Sequence, residues 1–338
     1  MIIDDAVYGT WNIHEPVLQE LINVPSVQRA KDVSQMGVPD RMYHFPGFSR
    51  YEHCVGAMLI TRKLGGTLEE QVTALLHDIS HTAFSHLVDW LLEKHNTQEG
   101  LQDDRHKEVV MCSEIPAIVK KYGFSPERVA HPENFPIVDN HAPDICADRL
   151  DYSLREIRLW VDRSLPEGCV NDLVYKRGRI YFQHSDIAEE YARAFLQCQM
   201  QHWGGAETIV RWESFARVLQ RAIQNKIISF EDFYGTEQPI LERLYQCKDQ
   251  HIARTLHALE GKVQFSSAEE DPDIVRRKKF RHVDPWVAVN GMYRKVSEIS
   301  PEFKKHLQHC REKNEQGIRV KVKVPDLSWS RHGDIISS

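Results

Sequence analysis

Apolar residues recur at helical spacing through most of residues 14–260, and strand-like alternation is confined to short stretches. Glu15–Leu21 has Pro16 near its start, where a helix tolerates proline. After Pro25, residues Val27, Ala30, Val33 and Met36 keep a helical period up to Gly37. Arg50–Leu64 carries Val55, Met58 and Leu59 and stops at Gly65-Gly66. Leu68–Ile79 lines one face with Val72, Leu75, Leu76 and Ile79. It places Glu69 and Glu70 in the first turn, where the helix dipole favours acids. Phe84–Leu92 continues the pattern, followed by Arg105–Tyr122, Ile145–Val161, Ile187–His202, Glu207–Gln224 and Ile240–Tyr245. The spacing predicts a mainly α protein built as a helical bundle.

Two regions depart from that period. Leu173–Gln183, with Tyr175, Gly178 and Ile180–Phe182, predicts a small β-hairpin turning at Arg177-Gly178. Ser266–Asp273 is small and acidic, contains Pro272, and reads as a linker. Beyond it, Lys278–Val283 and Ile318–Val324 alternate like strands on either side of a helix, Pro301–Lys313. We therefore expect a helical core over residues 1–265 and a small C-terminal α/β lobe over 266–338, with a loose polar tail after Pro325.

At 338 residues the chain is sized for one or two domains. Its formal net charge of −6 counts against broad, charge-driven binding to nucleic acid or acidic membranes. A small anion beside a local cluster of Arg or Lys remains compatible with it. Seven cysteines, at 54, 112, 146, 169, 198, 247 and 310, form no C-x-x-C pair. An odd, scattered set argues for a reducing compartment and against a disulfide framework or a thiolate zinc site. No stretch of about 18 apolar residues occurs, and Met-Ile-Ile-Asp-Asp-Ala has no basic residue ahead of an apolar run. A cytoplasmic location is expected, or a nuclear one in a eukaryote, with no membrane partner.

Candidate chemistry appears where an apolar segment ends, at Leu75-Leu76-His77-Asp78-Ile79-Ser80-His81. His77 and Asp78 offer one imidazole nitrogen and one carboxylate oxygen from a single turn. An isolated His-Asp pair is usually a helix-surface pair. Here it closes the run Ala74-Leu75-Leu76, where an unpaired aspartate would be costly. His53 upstream and Asp148 downstream complete a set of two nitrogens and two oxygens on three predicted helices. Facing helices build core sites from inward side chains in this way. Such donors suit Mn²⁺, Fe²⁺, Co²⁺, Ni²⁺ or Zn²⁺ and tolerate Mg²⁺, without choosing among them. Four protein ligands leave an octahedral ion two positions for water or a substrate oxygen, which suits phosphate-ester chemistry.

These residues fall in five ordered segments. They are Pro25-Ser26-Val27-Gln28-Arg29, Ser34-Gln35-Met36-Gly37, the run from Tyr43 to His53, the run from Leu75 to His86, and Asp148-Arg149-Leu150-Asp151-Tyr152. Through them the chain resembles the HD-domain superfamily of metal-dependent phosphohydrolases. Within it, the chain looks most like the deoxynucleoside triphosphate triphosphohydrolases, which include the SAM-and-HD-domain enzymes of animals and bacterial relatives. The segments span about the first 160 residues in matching order, with weaker similarity through Ala192–Trp212 and the C-terminal lobe.

The resemblance implies an HD-domain helical bundle as catalytic core, and one divalent metal ion held by His53, His77, Asp78 and Asp148. It implies Arg50 as a phosphate contact, His81, His86 and His106 as active-site histidines, Gln35 as a deoxyribose contact and Tyr152 as part of the sugar pocket. Arg149 would add a second positive contact, and Glu156 stands where the family carries an aspartate. Lys107 follows His106 where family members often have Glu. On the residues alone other roles stay open. Arg50 could be a charge at a helix N-terminus, His86 and Tyr152 core residues, Gln35 a cap near Gly37, and Asp151 a partner for a basic residue.

The implied reaction hydrolyses a dNTP to deoxynucleoside and inorganic triphosphate, with His106 or His81 moving protons. The implied partners are a dNTP-like nucleotide and further copies of the chain. One alternative is a phosphatase or phosphodiesterase of the same fold acting on a nucleoside monophosphate or another phosphorylated metabolite. No Gly-Tyr-Pro motif marks a cyclic-dinucleotide phosphodiesterase, and Ser80-His81-Thr82 stands where a guanosine-tetraphosphate hydrolase carries Glu-Asp. An alternative of another class is a non-catalytic nucleotide or nucleic-acid binding protein, with Lys321-Val322-Lys323 as its basic strand. An intact ligand set counts against it.

Overall fold

A computed structural model describes residues 1–91 and 101–323. The tail expected after Pro325 lies outside the described residues, as do Leu92 and Val324, the last residues of two expected elements. The chain opens with a hairpin, β1 (Ile2–Asp5) and β2 (Gly9–Asn12), then α1 (Pro16–Ile22) and a single turn, α2 (Pro25–Gln28). Next come α3 (Arg50–Lys63), α4 (Leu68–Leu76), α5 (Leu87–Leu91), α6 (Leu101–Met111), α7 (Ile115–Lys121), α8 (Pro126–Val129), α9 (Ala147–Trp160) and α10 (Leu165–Asp172). The hairpin β3 (Leu173–Lys176) and β4 (Arg179–Phe182) leads to α11 (Ser185–Gln197), α12 (Ala206–Gln224), α13 (Glu237–Gln246) and α14 (Gln250–Glu260). The remainder is β5 (Phe265–Ser267), β6 (Ile274–Arg276), β7 (Trp286–Val289), β8 (Met292–Lys295), α15 (Val296–Ile299), α16 (Pro301–Gln316) and β9 (Ile318–Val322). The fold is mainly helical with small sheets, as the spacing predicts.

Helix α3 is the axis of the bundle. It is buried almost all round, from His53 to Thr61, and packs against α4 and α9. Its start is set by a capping box. Ser49 Oγ accepts the Glu52 N–H at 3.2 Å, and the Glu52 carboxylate accepts the Ser49 N–H at 2.8 Å. Thr67 and Glu70 repeat the device at the start of α4. These caps fix where both helices begin and hence which residues face each other across the core.

Several expected helices end early, start late or break, some through distant partners and some through local backbone. The helix expected from Pro25 to Gly37 stops after α2 and a short 3-10 turn, Arg29–Asp32. Glu237 takes both the backbone N–H and the hydroxyl of Ser34, at 2.7 and 2.8 Å. The helix expected to run through Ile79 stops at Leu76, so the His77-Asp78 dyad lies just past its end. There the Arg29 guanidinium donates to the carbonyls of Ile79 and His81, holding them out of helical register. The Phe84–Leu92 segment becomes helical only at Leu87, because Phe84 and Ser85 adopt positive φ and the Ala83 N–H is claimed by the Phe233 carbonyl. The expected Arg105–Tyr122 helix is two helices, broken ahead of Pro116.

The expected hairpin forms in register, Leu173 opposite Phe182, with Arg177 and Gly178 both at positive φ, as a tight two-residue turn requires. It belongs to a four-stranded sheet ordered β3-β4-β7-β8, in which β4 and β7 run parallel. β5, β9 and β6 form a second, antiparallel sheet. The strand expected over Lys278–Val283 is irregular chain, and the strands lie later, in β7 and β8. Side chains reach in and take the backbone carbonyls of Lys278 and Lys279, from Asn314 and Gln199 respectively. Val283, Val287, Val296 and Phe303 join the main apolar core shared with α3, α4 and α9.

Candidate metal centre

His53 lies in the first turn of α3, His77 and Asp78 just past α4, and Asp148 in the first turn of α9. Their donor atoms converge. His53 Nε2 is 3.1 Å from His77 Nε2, 3.1 Å from Asp148 Oδ1 and 3.4 Å from Asp78 Oδ2. His77 Nε2 is 3.5 Å from Asp148 Oδ1 and 3.9 Å from Asp78 Oδ2. Donors about 2.1 Å from one ion would stand about 3.0–3.4 Å apart. The spacings around His53 fall in that range, and those from His77 to the two carboxylates, 3.5 and 3.9 Å, are wider. His53, His77 and Asp78 form a cluster that could hold a divalent cation, with Asp148 beside both imidazoles.

The rings are oriented from behind. His53 Nδ1 donates to Asp151 Oδ2 at 2.8 Å, and His77 Nδ1 donates to the Ala74 carbonyl at 2.7 Å. Both bonds place the proton on Nδ1 and turn the Nε2 lone pair toward the cluster, the arrangement metal-bound histidines use. The local field also favours a cation. Burial alone would push the His53 imidazole down, but the carboxylates of Asp148, Asp151 and Asp78 hold its pKa well above the ordinary value. Burial opposes ionisation of Asp148, yet His53 and His77 hold it far below the usual carboxylate range.

Arg50 makes three hydrogen bonds at the rim of this cluster. Its Nη1 donates to Asp78 Oδ2, its Nε to Ser85 Oγ at 3.0 Å, and its Nη2 to the Gln35 carbonyl at 3.3 Å. The Gln35 side-chain oxygen is buried without a partner. His81 Nε2 sits 3.4 Å from Asp78 Oδ1, and burial followed by Arg50 keeps its pKa well below normal. His86 is next, its ring 4.9 Å from that of His81. His106, on α6, bonds Ser80 Oγ through Nδ1 at 3.1 Å, while its Nε2 is buried without a partner. Burial, reinforced by His77, pushes His106 down to about 4, so it is neutral near pH 7.

Tyr152 stands 6.3 Å ring to ring from His53 and 5.6 Å from Trp203. Glu156, one turn further on, accepts the Trp203 Nε1–H at 2.7 Å and reaches the cluster only indirectly. Arg149 does not turn toward the cluster. Its guanidinium donates to Asn140 Oδ1 at 2.9 Å and to the Asn140 and Asp144 carbonyls, stapling the loop ahead of α9. Asp139, Cys146 and Asp148 also come close together. There the Arg149 cation lies 3.3 Å from Cys146 Sγ, and burial raises that thiol to about 12, which opposes a second ion. Asp151 and Ser85 were missing from the expected site. The spacing Asp148-x-x-Asp151 on one helix was the available signal for the first.

Among the described residues, no helix is long and apolar enough to cross a membrane. The HD domain family model matches residues 50–126. YdhJ of Bacillus subtilis, an uncharacterized protein, is 32% identical over 325 residues, 95% of this chain and 99% of its own length. The metal-dependent phosphohydrolase cns2 of Cordyceps militaris is 34% identical over 233 residues, 66% of this chain and 67% of its own. Mouse deoxynucleoside triphosphate triphosphohydrolase SAMHD1 is 28% identical over 149 residues, but these cover only 22% of that protein. A phosphohydrolase structure from Bacteroides thetaiotaomicron shares the fold, with a TM-score of 0.64 at 15% identity over 89% of this chain and 95% of that one. With the convergent His and Asp donors in place, the chain belongs to the HD-domain metal-dependent phosphohydrolases.

Proposed function

We propose that the protein hydrolyses deoxynucleoside triphosphates to deoxynucleoside and inorganic triphosphate. The observation that carries this reading is the convergence of four donor atoms beside Arg50, with Gln35 and Tyr152 on the adjoining wall. Partial similarity to a deoxynucleoside triphosphate triphosphohydrolase supports the substrate class. His53, His77, Asp78 and Asp148 would hold one divalent ion. When bound, it supplies Lewis-acid chemistry at a phosphoryl oxygen and makes water nucleophilic near neutral pH.

The chain's own residues do the rest. Arg50 neutralises charge on the reacting phosphate. The unpartnered Gln35 side-chain oxygen accepts a sugar hydroxyl, and the Tyr152 ring limits the space beside that sugar. His106 and His81, both neutral near pH 7, can accept a proton as water attacks and deliver it to the departing 5′-oxygen. Fixed positive charge and positioning supply most of the rate in such reactions. Arg149 serves the loop ahead of Asp148 rather than the substrate.

The test is a substrate panel. Purified protein is incubated with each dNTP, NTP and nucleoside monophosphate under Mn²⁺, Mg²⁺, Ni²⁺ and Zn²⁺, and products are identified by mass. Inorganic triphosphate from dNTPs is the expected product. Orthophosphate alone, from monophosphates, would replace this reading with that of a monophosphatase. Asp78→Ala should lose both metal binding and turnover; full metal-dependent activity in that variant would remove the site assignment.

A further inference from the structure

The chain from Phe233 to Glu237 joins a 3-10 turn, Phe230–Tyr234, to α13. Alternate residues of it bond to three segments near the metal cluster. The Phe233 carbonyl accepts the Ala83 N–H at 2.7 Å. The Gly235 carbonyl accepts Arg29 Nη1 at 2.8 Å, and Arg29 Nη2 in turn holds the Ile79 and His81 carbonyls. Glu237 Oε1 accepts the N–H groups of Ser34 and Phe84 at 2.7 and 3.2 Å, and its Oε2 accepts the Ser34 hydroxyl at 2.8 Å.

Glu237 is the first residue of α13, where any acid favours the helix dipole. The dipole does not account for its burial. Only 7% of Glu237 is exposed, and its hydrogen-bond partners are the neutral donors of Ser34 and Phe84. Such a carboxylate is costly to bury unless both oxygens are used, as they are here. Burial raises its pKa, and the Ser34 and Phe84 donors oppose the rise.

What Glu237 holds lies next to Arg50. The Ser34 carbonyl accepts the Ser85 hydroxyl at 2.7 Å, and Ser85 Oγ accepts Arg50 Nε at 3.0 Å. The Gln35 carbonyl, one residue on from Ser34, accepts Arg50 Nη2 at 3.3 Å. Phe84 and Ser85 adopt φ of 65° and 47°, a conformation that persists in such residues only where neighbours impose it. The two loops also meet directly, since a Cβ at Gly37 would lie 2.5 Å from the Phe84 carbonyl oxygen. Both neutral acceptors of Arg50 therefore depend on one carboxylate.

We propose that Glu237 is a positioning residue of the active site. Its bonds go to Ser34 and Phe84 rather than to the four metal donors, and by tying those two loops together it sets the acceptors that aim the Arg50 guanidinium. This rests on the reading of Arg50 as the phosphate contact, and it applies to whichever phosphate ester the substrate panel identifies.

The test is a double-mutant cycle in the full chain, with the best substrate and divalent ion of that panel. Glu237→Met keeps the length of the side chain but removes both acceptors. Its kcat should fall about 10- to 100-fold, the loss that a misaimed group produces, while KM stays within about threefold. Metal affinity should change by less than about tenfold, because no metal donor is a partner of Glu237. Glu237→Gln keeps an acceptor for the two N–H groups and should recover most of kcat. In the Arg50→Lys background, Glu237→Met should cost less than about threefold more, because a residue acting through Arg50 has little left to misaim. A merely structural glutamate would cost the same in either background, so additive losses overturn the proposal, as does parent kcat in folded Glu237→Met. Thermal unfolding checks folding, and Ser34→Ala, which removes the hydroxyl bond alone, carries the same cycle if Glu237→Met does not fold. If Arg50→Lys itself keeps parent turnover, the phosphate role of Arg50 fails and the proposal fails with it. Additivity on an impaired Arg50→Lys removes the proposal alone.

Discussion

Asp151 accepts the Nδ1–H of His53 at 2.8 Å, and this one bond decides which nitrogen of the ring faces the metal cluster. Asp151 is itself held by Arg155, whose Nε donates to both carboxylate oxygens at 3.1 and 2.9 Å. Arg155 continues to Asp5 of the N-terminal hairpin at 2.6 Å. A buried chain of charge thus runs from β1 to the imidazole. Replacing Asp151 with Asn keeps the shape but removes the negative charge that makes His53 a better donor. Metal affinity should fall between about 10- and 100-fold, the usual effect of losing such a partner. Competition against a chelator of known affinity measures it; parent-like affinity would show that the bond is incidental.

Gly56 is required by the same charge chain. A Cβ there would lie 1.9 Å from Asp151 Oδ1 and 2.1 Å from Arg155 Nη2. In an ordinary helix interior, Gly to Ala stabilises by about 1 kcal/mol. Here Gly56→Ala must push apart a buried ion pair, and destabilisation of about 3 kcal/mol or more is expected. Urea unfolding reads the change. A neutral or stabilising result would mean that Asp151 and Arg155 can shift without cost, and the chain of charge would lose its proposed rigidity.

The candidate donor residues His53, His77, Asp78 and Asp148 could be picked out of the sequence because they lie inside or at the ends of strongly periodic apolar segments. Those segments fix three helices and hence three inward positions. What was not legible depends on residues far away in the chain. The early end of α4 needs Arg29, some 50 residues upstream, to take the Ile79 and His81 carbonyls. The break after α2 needs Glu237, 203 residues from Ser34. Arg149 lies beside the candidate donor Asp148 in sequence, yet its guanidinium is drawn to Asn140 and the Asp144 carbonyl. The alternation over Lys278–Val283 suggested a strand, but its carbonyls are satisfied by side chains rather than by a sheet. Local period cannot report such distant partners.

Glu156 makes stability depend on pH in the direction opposite to most carboxylates. Burial raises its pKa to about 8, against an ordinary value of 4.5, and the Trp203 bond only partly offsets this. Between those values the folded state keeps a proton that the unfolded state has released. Stability from this group is therefore complete below about pH 4.5 and is lost as pH rises through about 8, by roughly 3–5 kcal/mol in all. Glu156→Gln keeps an acceptor for Trp203 but cannot ionise. Its stability relative to the parent should increase steadily from pH 5 to pH 8 in denaturant titrations. A difference that stays constant across that range would show that Glu156 is already ionised at low pH.

Arg50 joins three separate parts of the site, and lysine cannot replace it. One planar guanidinium reaches Asp78, the Ser85 hydroxyl and the Gln35 carbonyl at once. A lysine ammonium keeps the charge but cannot span those directions. In Arg50→Lys the Asp78 carboxylate would lose its fixed donor, and the loops carrying Gln35 and Ser85 would lose their shared anchor. On the proposed reading, kcat/KM for the best substrate of the panel should fall about 100-fold, equivalent to about 2.7 kcal/mol of transition-state stabilisation. Metal affinity should change by less than about tenfold, because all four donors remain. If metal affinity instead falls as far as kcat/KM, Arg50 acts mainly by holding Asp78 in place. If neither changes, Arg50 is no more than a buried charge compensating its neighbours.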